Sequence, residues 1–397
     1  MKKLSLIAAV LLSAGIFQSC NDPLVNEPAS EELSLKSANV KQSYIVVLKD
    51  AELETELAAV KGYEAKQEKA KSAAEKIMKR AGITDGELGF VYGSAIKGFS
   101  VKIAPGQLKK LQDDPSVDYI EENQIVTLDE PDLSITGKPA PPTPVGQAIP
   151  WGITRVNGGG SGVGKIAWII DTGIDLDHPD LTVSTTLGKS FVVGITSPDD
   201  DNGHGSHCAG IVAAKNNTIG VIGVAAGATV VPVKVLNKRG SGTYDAIIAG
   251  VNYVAATGNA GDVANMSLGG GLSAALNSAV INAAATGIKF ALAAGNESTS
   301  ATTKSPASAN GPNIYTISAM AAGDLWASYS NFGNPPVDFC EPGSSIYSTY
   351  KGGGYATLSG TSMAAPHAAG ILLLGNIRTD SNVKNDPDGN ADPIGEL

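Results

Sequence analysis

The sequence has 397 residues, 43% hydrophobic and 17% charged, which is long enough for more than one domain and a sizeable buried core. Its formal net charge of −10 excludes the basic surface that nucleic-acid binding requires. It contains 47 glycines but only 3 cysteines. This composition suits an α/β protein with many tight turns and excludes a disulfide-stabilised scaffold.

The N-terminal segment has the pattern of an export signal. Two lysines precede a short apolar run at 4–16, which is too short to be a transmembrane helix. The run ends at Ser19-Cys20, and a cysteine after a small residue resembles a bacterial lipoprotein attachment site. We predict a lipoprotein-type signal peptide over 1–20, with lipid on Cys20 as the sole membrane contact. The precursor is then exported to the outer membrane or cell surface.

A small domain is predicted next, between two linkers. Residues 21–41 are polar, and residues 129–146 contain five prolines, so both segments are typical of linkers. Residues 42–128 have the order strand, helix, strand, strand, helix, strand, with one long helix at 52–81. This order predicts a small α+β ferredoxin-like domain.

From residue 147 onward, apolar runs alternate with helical patterns. The predicted buried strands are 165–170, 230–236, 263–268, 288–294 and 314–319. The predicted helices lie near 204–214, 243–256, 272–286 and 362–374. Such alternation implies a parallel sheet with helices on both faces, a three-layer α/β domain over 147–378. Residues 379–397 are rich in Pro, Asp and Gly and are predicted to be an irregular polar tail.

Three motifs carry the groups that serine-based acyl transfer needs: a nucleophile, a base and a carboxylate that orients the base. Asp171 directly follows a predicted buried strand, where α/β sheets place their sites. His204 and Ser362 each lie at a predicted helix start, and the free N–H groups at such a start favour an oxyanion. Each motif alone is weak: Asp-Thr-Gly also occurs in aspartic proteases, and His204 with His207 could suggest a metal site.

Together, in the order Asp, His, Ser, these motifs resemble the subtilisin (subtilase) family of serine endopeptidases over nearly all of 147–375. The resemblance implies a triad of Asp171, His204 and Ser362, with Asn296 as the oxyanion donor. The residues that it assigns to substrate binding are Ser267, Leu268, Gly269, Gly270, Ala294 and Gly295. Since these residues are small or apolar, we expect broad specificity with a preference for apolar side chains before the cut.

The resemblance also implies a structural calcium site, because the family's ligand positions carry hard oxygen donors here. The implied side-chain ligands are Gln147, Asp180 and Asn217, and the implied carbonyl ligands are Lys215, Ile219 and Val221. The alternative is a Gly/Asn turn without an ion. The acidic run 199–201 could also bind a metal, but a solvated loop is the simpler interpretation. No organic cofactor motif is found.

Residues 42–128 resemble the family's inhibitory propeptide, whose last strand and following linker would lie in the substrate groove until a cut just before Gln147. We expect a monomeric, autoprocessed zymogen whose partners are polypeptide substrates and its own propeptide. Two alternatives stay open: a catalytically dead peptide-binding scaffold, and a latent enzyme that a second protease must activate. Cys208 lies one helical turn after His204 and should pack behind it, whereas the spacing leaves open whether it pairs with Cys340.

Overall fold

The computed structural model describes residues 40–128 and 146–397. The predicted signal peptide with Cys20 and residues 21–39 and 129–145 of the two predicted linkers lie outside the described residues. Residues 41–397 form one compact unit. Within the described part of the chain, no helix has both the length and the apolar character needed to cross a bilayer.

The N-terminal part of this unit is a small α+β domain. Its strands are β1 (Gln42–Leu48), β2 (Glu87–Gly93), β3 (Lys97–Ile103), β4 (Val117–Glu122) and β5 (Ile125–Thr127), and its helices are α1 (Asp50–Ala58), α2 (Tyr63–Arg80) and α3 (Leu108–Gln112), the last preceded by a 3₁₀ turn at Pro105–Gln107. Strands β1 to β4 form an antiparallel sheet in the predicted ferredoxin-like order β2-β3-β1-β4. The single predicted helix at 52–81 is two helices, because Gly62 adopts φ 83°, a value that interrupts helical backbone.

From Tyr44 onward, strand β1 is buried on both faces, which explains its uninterrupted apolar run. Successive side chains of a strand point to opposite faces. Val46 and Leu48 therefore pack on the small domain's own helices, in a cluster with Phe99. Ile45 and Val47 belong instead to a core cluster that includes the helices of the larger domain. The two domains thus share a hydrophobic core.

The larger domain contains sixteen strands and five helices in its described part. The strands are β6 (Gly160–Ser161), β7 (Ile166–Asp171), β8 (Thr182–Val183), β9 (Lys189–Ser190), β10 (Ala225–Ala226), β11 (Thr229–Lys234), β12 (Ser241–Thr243), β13 (Val263–Met266), β14 (Lys289–Ala293), β15 (Ile314–Ala321), β16 (Leu325–Trp326), β17 (Val337–Pro342), β18 (Ile346–Tyr350), β19 (Gly354–Leu358), β20 (Arg378–Asn382) and β21 (Pro393–Glu396). The helices are α4 (Trp151–Arg155), α5 (His204–Ala213), α6 (Tyr244–Thr257), α7 (Ala274–Ala284) and α8 (Thr361–Leu374).

A parallel sheet with the order β17-β15-β14-β13-β7-β11 forms the centre of this domain, as predicted. Helices α5 and α8 cover one face, and α6 and α7 cover the other. Strand β7 contributes to both layers, with Ile169 on the first face and Trp168 and Ile170 on the second. Each such buried side chain contributes roughly 1.5–3 kcal/mol, so the carboxyl end of β7 is held rigidly.

The prediction of an irregular C-terminal tail was wrong. Strand β21 pairs in parallel with β17 through Cys340 and Ile394, and β20 pairs antiparallel with β21. Ile394 is fully buried in a small cluster with Cys340 and Val383. Two buried apolar side chains, together with backbone pairing on both sides of β21, are enough to order this polar segment. The sheet therefore continues past the predicted domain boundary at residue 378.

Candidate active site

Asp171 lies at the carboxyl end of β7, in the centre of the sheet. It is fully buried, and its Oδ1 accepts a hydrogen bond from the Thr172 N–H at 2.6 Å. The ring of His204, the first residue of α5, is only 3% exposed, and its Nδ1 lies 2.7 Å from Asp171 Oδ1. Because an ionised carboxylate only accepts, Nδ1 is the donor and Nε2 is the nitrogen that can accept a proton.

Asp200 organises the start of α5, which the sequence interpretation missed. The solvated loop expected at 199–201 is wrong for this residue, since Asp200 is only 6% exposed. Its carboxylate accepts from the Thr172 hydroxyl at 2.9 Å, the Gly203 N–H at 2.8 Å and the Ser206 N–H at 2.9 Å. It therefore satisfies free N–H groups at the helix N-terminus and ties them to the segment that follows Asp171.

Ser362 is the second residue of α8, and its side chain is 4% exposed. Its Oγ donates to the Ser267 carbonyl at 3.3 Å, and its own carbonyl accepts from Ser267 Oγ at 2.7 Å. The same carbonyl accepts from the Cys208 thiol at 3.4 Å. A carboxylate oxygen of Asp171, a ring nitrogen of His204 and the Cys208 sulfur lie within 4.8 Å of one another. Cys208 therefore packs against His204, as predicted.

Cys208 and Cys340 are both buried and are not joined in a disulfide, which settles the pairing that the sequence left open.

Two further histidines, His207 in α5 and His367 in α8, have structural roles. His207 Nε2 contacts two backbone carbonyls, and burial lowers its pKa to about 3. His367 Nδ1 contacts the Met363 carbonyl, and burial lowers its pKa to about 4. Both rings are therefore uncharged at neutral pH.

Asn296 follows β14 and faces the start of α8. Its Oδ1 accepts hydrogen bonds from the N–H and the hydroxyl of Thr361, at 2.8 and 2.9 Å. Because both Thr361 groups donate, the Asn296 atom that faces them is the amide oxygen. The Asn296 NH₂ group therefore points away from Thr361. Thr361 is thus a positioning residue for Asn296, and no pattern in the sequence indicated this role.

The predicted substrate-binding residues line one pocket together with Asn296 and Ser362. The lining comprises Ser267, Leu268, Gly269, Gly270, Ala293, Ala294, Gly295, Glu297, Lys304, Ala307 and Thr361, with Thr127 and Leu128 from the small domain. Glu297 and Lys304 form an ion pair at 2.7 Å, so the two charges in the wall offset each other. The remaining walls are small or apolar.

The small domain inserts an extended segment beside this pocket. Strand β5 pairs antiparallel with β12, with Ile125 opposite Thr243 and Thr127 opposite Ser241. The Leu128 N–H continues the pairing by donating to the Gly240 carbonyl at 3.0 Å. Strand β12 is therefore an edge that accepts an extended peptide, and sequence reasoning did not identify it because only three residues form it.

The small domain also caps two helices of the larger one. The Glu121 carboxylate accepts from the N–H groups of Ala274 and Ala275, at 3.0 and 3.3 Å, at the start of α7. Asn123 Oδ1 accepts from the Asp245 N–H at 3.1 Å in the first turn of α6. An anion at a helix N-terminus satisfies free donors and interacts favourably with the helix dipole. The two domains are thus joined by charge-assisted contacts as well as by a shared core.

Replacing Glu121 by alanine should weaken the attachment of the small domain. Hydrogen bonds to a charged group are worth about 1.5–3 kcal/mol each, so we expect the loss of both to weaken the attachment by at least about 100-fold. The lag before the expected peptidase activity appears, measured at fixed protein concentration, should shorten accordingly. Glu122→Ala is the control, because this neighbour is exposed. Equal lags for the two variants would show that the cap has no role in retention.

The six predicted calcium ligands lie together. The Gln147 amide contacts the carbonyls of Lys215 and Val221, at 2.6 and 3.2 Å. The fully buried Asp180 carboxylate accepts from the Asn217 amide at 2.7 Å and from the Val221 N–H at 3.0 Å. The Ile219 N–H in turn donates to Asn217 Oδ1 at 2.8 Å. The residues gathered here offer one buried carboxylate, two side-chain amides and backbone carbonyls, a donor set whose chemistry fits a hard divalent cation.

Comparison with known families decides the identity. The Subtilase family profile matches residues 164–378, more than half of the chain. This chain is a subtilase. The Peptidase inhibitor I9 profile matches residues 43–129, so the small domain is an inhibitory propeptide domain.

Individual relatives of this subtilase agree. The subtilisin-like serine protease AsES of Sarocladium strictum is 42% identical over 299 residues, which cover 71% of each chain. The alkaline serine exoprotease A of Vibrio alginolyticus is 40% identical over 72% of this chain and 52% of the relative. The crystal structure of a cold adapted subtilisin-like serine proteinase, 36% identical, matches with a TM-score of 0.56 over 62% of this chain and 96% of that chain. This subtilase is accordingly a serine endopeptidase with its own propeptide inhibitor.

Proposed function

We propose that this subtilase hydrolyses peptide bonds with Asp171, His204 and Ser362 as its catalytic triad. The buried 2.7 Å contact between Asp171 and His204 Nδ1 carries the proposal, because it leaves Nε2 as the proton acceptor. As Ser362 Oγ attacks the scissile carbonyl, His204 takes the hydroxyl proton and Asp171 stabilises the imidazolium. His204 then gives that proton to the leaving amine, and water releases the acyl group by the reverse sequence.

Asn296 and the Ser362 N–H are the proposed oxyanion donors. The orientation of the Asn296 amide, whose oxygen is held by Thr361, supports this role. Preorganised donors are effective because they need no rearrangement as the charge on the substrate oxygen develops. The N-terminal end of α8 adds its positive dipole at the same place.

The proposed substrate is an extended polypeptide that takes the place of the propeptide segment on β12. The side chain before the cut would enter the pocket near Gly269, Ala294 and Gly295, where the walls are small and the nearby charges are paired. We therefore propose broad specificity with a preference for apolar residues before the cut. A peptide library cleaved mainly after Lys, Arg, Asp or Glu would contradict this preference.

Labelling with a serine-directed fluorophosphonate, read by intact mass, tests this function and separates its two alternatives. An autoprocessing protease is cut near 140–147 without help, and the 147–397 product then takes up one label. A latent enzyme takes up label only after an added protease removes the propeptide. A dead scaffold takes up none under any treatment, and that outcome would refute the proposal.

We further propose that the precursor is an exported monomer that is lipid-anchored through Cys20. Because Cys20 precedes the propeptide, processing would release the catalytic domain once the propeptide dissociates. Fractionation of expressing cells checks this: the precursor should lie in the membrane fraction and the fluorophosphonate-labelled product in the soluble fraction. A Cys20→Ala precursor that remains in the membrane fraction would contradict the anchor.

A structural calcium ion at the Asp180 site is also proposed, held by the six residues named above. When bound, the ion would offset the buried carboxylate charge. Replacing Asp180 by asparagine should lower the melting temperature in calcium by about 5–10 °C, because saturation at 100 times Kd is worth about 2.7 kcal/mol. The melting temperature of the wild-type protein should fall by a similar amount when calcium is chelated, whereas that of the variant should fall by less. An identical response of both proteins to chelation would exclude an ion at this site.

A further inference from the structure

Residues 386–392, in the loop between β20 and β21, carry an oxygen-bearing side chain at every second position. These residues are Asp386, Asp388, Asn390 and Asp392. Gly389, at φ 80°, allows the turn. The Asp388 and Asp392 N–H groups both donate to the Asp386 carboxylate at 3.2 Å, so the loop closes on itself.

Asp392 is the last residue of this loop and is buried. The residue is 1% exposed, and its Oδ2 accepts from the Ser318 hydroxyl. Its Oδ1 is buried and has no hydrogen-bond partner. A buried, unpartnered carboxylate oxygen is costly unless a partner compensates it. This atom therefore points to a ligand that the polypeptide does not supply.

The charges around Asp392 are of the wrong sign to compensate it. Asp386 and Asp388 are close enough to act on Asp392 with like charge, and the polar side chains beside it are those of Ser318 and Asn334. The cationic side chains that contact or belong to the adjoining segments are engaged elsewhere. Arg155 pairs with Asp324 and Asp380, and Lys384 donates to the Gly323 carbonyl. Acidic groups thus converge here at neutral pH, and a cation would relieve their repulsion.

We propose that Asp386, Asp388, Asn390 and Asp392 bind a calcium ion. All four donors are hard oxygens, and such ligands suit calcium and magnesium and not the softer transition metals. A seven-residue loop with mixed carboxylate and amide donors fits calcium better, because calcium tolerates flexible coordination by six to eight oxygens. Magnesium instead demands near-ideal octahedral geometry and retains its water.

The ion would secure the C-terminal strand pair on the catalytic sheet. Asp392 directly precedes β21, and its carbonyl accepts from the Val383 N–H next to β20 at 2.9 Å. Strand β21 reaches β17 through a single register pair, Cys340 with Ile394, so its own pairing is limited. Fixing the loop therefore fixes both strands. This site shares no residue with the proposed Asp180 site.

Calcium binding to the full-length Ser362→Ala protein, which cannot digest itself if Ser362 is the nucleophile, tests the proposal. Equilibrium dialysis gives the number of ions per chain, and hydrogen exchange of peptides from 378–397 gives the local effect. The test variant is Asp386→Asn with Asp388→Asn, and Asp388→Asn alone serves as a milder change at an exposed position. Asp380→Asn removes a charge from the same segment outside the loop, and Asp180→Asn removes the other site.

We expect the double variant to bind about one calcium ion fewer per chain and to lose the calcium-induced protection of 378–397. The affinity of the single variant for calcium at this loop should fall by at least about ten-fold. Asp380→Asn should keep the ion, and Asp180→Asn should keep the protection of 378–397. Magnesium in place of calcium should give peptides from 378–397 little protection against hydrogen exchange. The proposal is overturned if the double variant binds as many ions as its parent, or if calcium leaves exchange in 378–397 unchanged in the parent.

Discussion

Replacing Ser362 by alanine is expected to lower kcat for peptide hydrolysis by about 10⁶-fold and to leave the precursor uncut. The substitution removes one oxygen at the start of α8 and nothing that the fold requires. The proposed nucleophile is thereby lost, although Asn296 and the pocket remain. Intact mass over time in calcium measures processing, and an added peptide substrate measures turnover.

The matched control for this experiment is Ser328→Ala, which changes an exposed serine of the same domain. This variant should cleave its own precursor and hydrolyse the peptide substrate at the same rates as the parent protein. The Ser362→Ala protein should have the parent's melting temperature, so that loss of activity is separated from loss of fold. Continued cutting near 140–147 by purified Ser362→Ala protein would remove Ser362 from the mechanism.

Replacing Asp171 by asparagine is expected to lower kcat by about 10⁴-fold with little change in KM. Asparagine has nearly the same shape but would present an NH₂ group to His204 Nδ1. Nδ1 would then act as the acceptor and Nε2 would carry the proton, so the ring could no longer take a proton from Ser362. Steady-state kinetics with a peptide substrate measures the effect.

Asp177→Asn is the control for that variant, because Asp177 is exposed in the loop that follows β7. It should retain kcat within a few-fold. The Asp171→Asn protein should remain folded, because asparagine keeps the shape of the aspartate side chain. The bond that it gives up is the one from the Thr172 N–H, which shares Oδ1 with His204 Nδ1. A loss of less than 10-fold in kcat would mean that His204 does not depend on Asp171 for its tautomer.

The sequence alone indicated the fold class and the members of the site. The buried strand at 165–170 was predicted from its apolar run, and the structure places this strand at Ile166–Asp171. Asp171, His204 and Ser362 were predicted from three short motifs whose order along the chain resembles the subtilisin family. Such signals are local, since periodicity and element ends are read within a dozen residues of the chain.

Only the tertiary structure decided how these elements are held together. Glu121 caps α7 across 153 positions of sequence, and Asp200 joins the segment after β7 to the start of α5. Strand β21 exists because Ile394 finds Cys340 on β17, and β12 because the propeptide pairs with it. A polar residue in a polar run looks the same whether it is solvated or bonded to a distant helix. Its role is therefore fixed by which backbone groups the folded chain brings within hydrogen-bonding distance, and local spacing does not encode that.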